Sequence, residues 1–257
     1  MSPSLREQFD TWQPDCERLG ISWSPDQLEQ LECLYQQLLK VNAHTNLTRI
    51  DTPRDFLYRH ILDSMNLNRF IPQSAMMADI GSGPGFPALP LAIYRPDIRL
   101  VAIESTGKKA HFIQEAAKTL GLKNLSVVCE RCETLGQMPT FRDTFDRVSA
   151  RALAPLNVLL ELAIPLLKDP VLKNPVLKDP ASTSEKSKLL ALKGSKLCQE
   201  LENAKRALAL LHTTHTESHP NPVDELSHSV VAVFEKQRKT PRDYPRQAGT
   251  PKKHPLT

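Results

Sequence analysis

The sequence predicts an α/β protein, a parallel sheet alternating with helices behind an N-terminal helical region. Three observations predict it. A short apolar run, Ala75-Met76-Met77-Ala78, enters the stretch Asp79-Ile80-Gly81-Ser82-Gly83-Pro84-Gly85-Phe86-Pro87, a buried strand running into a glycine-rich loop. A second apolar run, 100–103, closes on Glu104, 23 residues after Gly81. From Ala75 onward strand-like and helix-like stretches alternate, the pattern of a parallel sheet with right-handed crossovers.

Taken in order, residues 1–70 read as the helical region. Ser24 caps a helix with Pro25 at its first position, and Leu28, Leu31, Leu34, Tyr35 and Leu38 form its apolar stripe. Thr52 caps another, again with proline next, and places His60 and Asp63 on one face. With Asn46 these two are expected to form a polar cluster beside the site, not a metal site. Residues 71–235 read as the sheet domain. After the first strand comes a helix over 89–94, stopped by Arg95-Pro96-Asp97. A helix over 108–120 ends at Gly121, and strands follow over 125–129 and 145–150. A helix begins near Leu156, and the remaining elements are a strand over 189–192, a helix over 195–211 and a last strand over 228–234. His212, His215 and His219 show no helical face and are expected on a loop. Leu-Lys-Asp/Asn-Pro recurs every five residues from Leu167, which forbids a continuous helix, so 168–188 reads as a low-complexity surface insertion.

The glycine loop carries the chemistry. Glycines at alternate positions let the backbone turn sharply and approach a ligand with no Cβ in the way. A dinucleotide fingerprint would need glycine where Phe86 stands. Gly-x-Gly-x-Gly after an acidic strand end instead resembles the first motif of S-adenosylmethionine-dependent methyltransferases. Glu104, at the end of the next strand, is placed to take the two ribose hydroxyls of a nucleoside.

Composition narrows the classes. The chain of 257 residues has a formal net charge of +4, and its basic residues concentrate at the end. Lys236, Arg238, Lys239, Arg242, Arg246, Lys252 and Lys253 face one acid, Asp243, so 236–257 is expected to be a basic tail for a polyanionic partner, its cations on phosphates and Tyr244 available to stack on a base where that partner is a nucleic acid. No apolar run approaches the roughly 20 residues of a membrane span. Acidic residues interrupt the start, so no secretory leader is expected. Five scattered cysteines fit a reduced, cytoplasmic protein. Cys129 and Cys132 form a lone Cys-x-x-Cys with no second ligand pair, and no metal is expected.

Six motifs in order extend the resemblance. They are Asn42-Ala-His-Thr-Asn-Leu-Thr48, Arg59-His-Ile-Leu-Asp-Ser64, the glycine loop, Ser149-Ala-Arg-Ala152, Ala191-Leu-Lys-Gly194 and Arg246-Gln-Ala-Gly-Thr-Pro251. Together they resemble the RsmG family, also called glucose-inhibited division protein B. The resemblance implies a Rossmann-like methyltransferase sheet, S-adenosylmethionine as donor, and methylation of a guanine N7 in 16S ribosomal RNA, at position 527 in the usual bacterial numbering. The partner is then 16S ribosomal RNA or a small-subunit precursor, with a monomeric enzyme favoured. By the same resemblance the cofactor site maps onto Gly81, Phe86, Glu104, Ser105, Thr106, Cys132, Glu133 and Arg151. Gly81 would admit the methionine moiety, Phe86 would form an apolar wall, and Cys132 and Glu133 would read the adenine edge. Arg151 would pair with a carboxylate or phosphate and is the one candidate for a catalytic role.

A ring nitrogen explains what is missing. Guanine N7 carries an in-plane lone pair and no proton, so methyl transfer to it needs neither a base nor a covalent intermediate, and positioning suffices. The chain has no Asp/Asn-Pro-Pro-aromatic motif of the kind used on exocyclic amines, and no cysteine after a proline of the kind used on cytosine C5. Three rivals share parts of this pattern. A small-molecule methyltransferase leaves the basic end unexplained, Phe86 spoils a nicotinamide site, and a non-catalytic RNA-binding relic would have no need of an intact glycine loop.

Overall fold

The computed structural model describes residue 5 and residues 9–49, 52–170 and 186–257. Helices α1 (Phe9–Arg18) and α2 (Pro25–Thr45) open the chain. Ser24 accepts the Gln27 N–H while the Gln27 side chain accepts from the Ser24 N–H, a closed capping box with Pro25 just inside. Leu31, Leu34, Tyr35 and Leu38 are buried, and Asn46 ends the helix in the left-handed region. Thr52 caps the next helix through the Asp55 N–H. Short α-helical ends, α3 (Pro53–Asp55) and α4 (Asp63–Met65), flank a π-wound middle, Phe56–Leu62, in which the Asp63 N–H reaches back five residues to the Tyr58 carbonyl. Such wide turns concentrate at functional sites.

The sheet domain alternates as expected. Its elements are β1 (Met76–Ile80), α5 (Ala88–Tyr94), β2 (Arg99–Ile103), α6 (Gly107–Thr119), β3 (Leu125–Val128), α7 (Cys132–Leu135), β4 (Arg147–Arg151), α8 (Leu156–Ala163), β5 (Lys188–Lys193), α9 (Leu197–Asn203), α10 (Lys205–Leu210), β6 (Thr213–Pro220), β7 (Val230–Lys236) and α11 (Thr250–Lys253). The strand order is β3-β2-β1-β4-β5-β7-β6. β1 to β5 run parallel, and β7 is antiparallel to both of its neighbours. Alternate side chains feed two cores. Met77, Leu100, Ala102, Leu190 and Val233 pack toward the N-terminal helices, α5 and α6. Ile80, Val101, Ile103, Val148, Leu189 and Phe234 pack toward α8 and α10. Burial on both faces is why the strands read as continuous apolar runs.

Four expectations are corrected. The histidine stretch is not a loop: His215 and His219 lie in β6, an edge strand held by its backbone ladder to β7. Its polar side chains mostly face outward, so no apolar period marks it in the sequence. The helix expected over 195–211 is two helices, broken at Ala204. The insertion expected over 168–188 is narrower at both ends. Lys188 begins β5, the Lys168 N–H donates to the Phe145 carbonyl at 2.9 Å, and the Ser187 hydroxyl donates to the Lys168 carbonyl at 2.7 Å. Residues 171–185 lie outside the described residues. Finally, Lys236 does not contact phosphate. It ends β7 fully buried, with its ammonium on Asp143 at 2.6 Å, the Leu167 carbonyl at 2.7 Å and Asp169 at 2.8 Å. Tyr244 is half-buried and packs against the second core.

Asp79, at the inner end of β1, is 0% exposed and accepts the Ser149 hydroxyl at 2.7 Å. Burial pushes its carboxyl up to about 6 against the opposing pull of Ser149, Ser82 and Arg151. Because the folded carboxyl binds its proton more tightly than the unfolded one, this contributes stability that is fully present below pH ~4 and is lost as pH rises through about 6. Asp79→Asn, which does not titrate, should therefore gain about 2–3 kcal/mol relative to wild type between pH 4 and pH 7. Urea unfolding at the two pH values checks this, and a constant difference would contradict it.

Candidate active site

The strand order reverses direction between β1 and β4, and such a switch point opens a crevice beyond the carboxyl ends of the strands. Ile80 pairs with Ile103 on one side and Ala150 on the other, which sets Gly81 beside Glu104 and Arg151. Gly81 has φ +65°, and a Cβ there would overlap the Leu153 side chain. Gly83 also turns left-handed, at φ +57°, yet a Cβ on it would meet nothing closer than the Gly81 carbonyl at 4.0 Å. Close approach therefore constrains Gly81, and backbone conformation constrains Gly83.

Glu104 fixes the turn. Its carboxylate accepts the Gly83 N–H at 2.9 Å and the Thr106 N–H at 2.7 Å, linking the glycine loop to the start of α6. Beside it a cavity of about 240 Å³ is walled by Gly81, Ile103, Ser105, Glu130 to Glu133, Leu153 to Pro155, Val158 and Leu162. Its far wall is Gly249, Pro251 and Lys252. Of the residues expected from sequence, Gly81, Ser105, Cys132 and Glu133 thus meet in one wall. Glu104 and Thr106 lie just behind it. Cys132 opens the short helix α7, and burial, followed by Glu133, pushes its thiol up to about 12. It is a packed neutral thiol, not a nucleophile.

Phe86 and Arg151 are placed elsewhere. The Phe86 ring is buried and stacks on His60 with centroids 4.0 Å apart and planes 7° from parallel. It supports the helical region and does not wall the cavity. Arg151 donates to His60 Nδ1 at 3.1 Å, to the Arg59 carbonyl, and approaches Asp63 at 3.5 Å. Because guanidinium only donates, His60 Nδ1 accepts and its Nε2–H faces Thr48 Oγ1 at 3.3 Å. Burial, then the Arg151 charge, holds His60 well below the ordinary imidazole range, so it is neutral at pH 7. Asp63 in turn accepts the Ser229 hydroxyl at 2.6 Å. His60 and Asp63 thus meet through Arg151, as a lock between the π-wound helix, β4 and the start of β7. Asn46 ends α2, and its cap bond is to the Asn42 carbonyl. Among the described residues no group of histidines, cysteines and carboxylates could hold a metal ion.

The sequence reading missed the far wall. The end of the chain is not outside the glycine-loop site, because Glu161 brings it back. Glu161 is 0% exposed on the apolar helix α8, and Arg246 pairs with it through Nε at 2.8 Å and Nη2 at 2.6 Å, while the Arg246 backbone N–H adds a third bond at 2.9 Å. Three residues on, the Gly249 N–H donates to Glu133 at 2.9 Å. One acid inside an otherwise apolar helix was the available signal, since a buried charge demands a partner.

Comparison with known proteins places the chain in a family. The family model for rRNA small subunit methyltransferase G matches residues 27–223. The chain belongs to this family. The protein named ribosomal RNA small subunit methyltransferase G from Leuconostoc citreum is 34% identical over 92% of this chain and 94% of its own length. Its namesake from Lactobacillus delbrueckii subsp. bulgaricus is 36% identical over 93% and 95%. Among solved structures, a SAM-dependent methyltransferase from Aquifex aeolicus aligns with a TM-score of 0.51 at 15% identity, over 74% of this chain and 96% of that one. A putative O-methyltransferase from Klebsiella pneumoniae aligns with a TM-score of 0.54 at 11% identity, over 90% and 99%. At such identities these two speak for the fold, a Rossmann-like methyltransferase sheet. Like its family, the chain is a methyltransferase.

Removing Arg246 would leave the Glu161 charge buried with only the backbone N–H of residue 246. Arg246→Ala should therefore cost about 3 kcal/mol in urea unfolding, the usual scale for one lost partner of a buried pair. Glu161→Gln/Arg246→Ala should recover part of that loss. Equal stability of wild type and Arg246→Ala would show that the pair does not hold the segment.

Proposed function

We propose that this chain transfers the methyl group of S-adenosylmethionine to N7 of a guanine in 16S ribosomal RNA, as the RNA itself or in a small-subunit precursor, in the cytoplasm. One observation carries the reading: the cavity at the β1/β4 switch point joins the glycine turn, the end of β2 and the adenine-edge loop after β3 in a single wall. No helix among the described residues is long and apolar enough to cross a membrane.

The residues present fit the donor. Gly81 lets the turn pass against Leu153 where a Cβ would overlap it, Ile103, Val158 and Leu162 offer apolar faces for an adenine, and Glu130 and Glu133 put carboxylates in the wall, with Glu104 just behind it. When bound, S-adenosylmethionine supplies an electrophilic methyl on a sulfonium. That methyl would pass to the N7 lone pair with the carbon–sulfur electrons left on sulfur, so the protein need supply no base.

The protein's part is placement. Glu104 would take the ribose hydroxyls from its position against the Gly83 and Thr106 amides. Ser105 and the backbone at Cys132 would border the adenine. Thr106 would start α6 at the donor's edge. Arg151, held by His60 and Asp63, fixes the end of β4 and would orient the acceptor strand rather than accept a proton. Phe86 would act through His60, by holding the π-wound helix against the loop. The exposed cations Arg238, Lys239, Arg242, Lys252 and Lys253 supply positive surface for phosphates.

Glu104→Ala strands two loop amides and removes the ribose acceptor. It should weaken S-adenosylmethionine binding by about 1–3 kcal/mol in calorimetry. Transfer of labelled methyl to 16S ribosomal RNA, followed by chain cleavage at 7-methylguanine, should give one site with wild type and a matching loss of rate in the variant. Label on a base amine or on C5 of a pyrimidine would reject the N7 reading.

A further inference from the structure

A second, larger space adjoins the donor cavity. It is a groove of about 780 Å³ running between the end of β4, the end of β5 and the approach to β7. Leu153, Ala154 and Pro155 border both spaces, and the Leu153 side chain lies against Gly81. Leu153 is 37% exposed, unusual for so large an apolar side chain, and it follows Ala152, which sits at φ +51°. Among the described residues this short turn is therefore the partition shared by both spaces, with the donor cavity on one side and an open groove on the other.

We infer that this groove receives the acceptor guanine as an unpaired nucleotide turned out of the RNA, with the His228 ring stacked on the base. The inference rests on the donor reading given above. A base stacked in a helix cannot bring N7 to a donor sunk behind Leu153, so it must leave its stack to enter the groove. Unstacked bases are held on aromatic and imidazole faces and on arginine planes. His228 is the one ring among the groove residues, and it is exposed. Its backbone is anchored by the next residue, Ser229, which donates to Asp63, the partner of Arg151. Arg59 stands across the groove with an exposed guanidinium. The chemistry of the base agrees. With N7 directed at the Leu153 partition, the N1–H and amino donors of guanine lie on a different edge of the base, turned away from the partition, in a groove lined by Asp63, Glu200 and Glu225. Adenine would present an unprotonated N1 there.

His228→Ala and His228→Phe test this in the full-length protein, with labelled methyl transfer to 16S ribosomal RNA and calorimetry of S-adenosylmethionine. His228→Ala should raise KM for RNA tenfold or more while the Kd for S-adenosylmethionine stays within twofold of wild type. His228→Phe, which keeps a stacking face and loses the ring nitrogens, should return KM to within about threefold. An unchanged KM in His228→Ala, or equal damage in both variants, would overturn the groove assignment. Wild type that binds S-adenosylmethionine but methylates no ribosomal RNA would instead reject the donor reading on which it rests.

Discussion

The Glu104 carboxylate is the contact on which the site depends. It closes β2, and each of its oxygens accepts one amide, from Gly83 in the loop after β1 and from Thr106 at the entry to α6, which leaves further acceptor capacity on both. Charge-assisted bonds to backbone N–H groups are short and strong, so three chain segments are held in one geometry by one side chain. The left-handed turns at Gly81 and Gly83 satisfy that geometry without strain. The pairing of Ile80 with Ile103 and Ala150 then puts the loop over the switch point. Fold and site share this constraint, because the strand register that builds the core also sets where the loop turns.

Two buried charges tie the rest of the chain to that centre. Arg151 is gripped from the helical region by His60, Asp63 and the Arg59 carbonyl, so the π-wound helix is docked against the end of β4. Arg246 is gripped by Glu161, so the C-terminal segment returns to wall the cavity. Burying ions is costly, and a hydrophobic pair of the same shape would often be as stable. Their value here is directional: the bidentate Glu161–Arg246 pair, and the fan of Arg151 donors onto His60, Asp63 and the Arg59 carbonyl, each accept one orientation, which an apolar contact would not impose.

Most of the fold was legible because the sheet buries both faces and its strands write continuous apolar runs. The capping residues Ser24 and Thr52, with the prolines after them, marked two helix starts to the residue. β6 was not legible: an edge strand held by backbone bonds needs no apolar side chains, and its histidines and threonines read as loop. Of the site, the residues close in sequence to the glycine turn and to the ends of β2 and β3 were legible, since short connections keep them near. Phe86 was misplaced because its neighbour in the motif says nothing of His60, which stacks on it from the helical region. Lys236 and the C-terminal wall were missed for one reason. Charge density predicts solvated cations, and only the fold shows that Asp143 holds a buried Lys236 and that Glu161 pins Arg246.

Hydrogen–deuterium exchange of the full-length protein, with and without S-adenosylmethionine, tests the central claim most directly. The amides of Gly83, Thr106 and Gly249 are bonded to Glu104 and Glu133 around one cavity. Donor binding should slow exchange together at 81–86, 104–106, 130–133 and 247–252, with no change in α1 or in β6. Protection at the glycine loop alone, with the C-terminal segment exchanging as before, would contradict a cavity closed by the end of the chain.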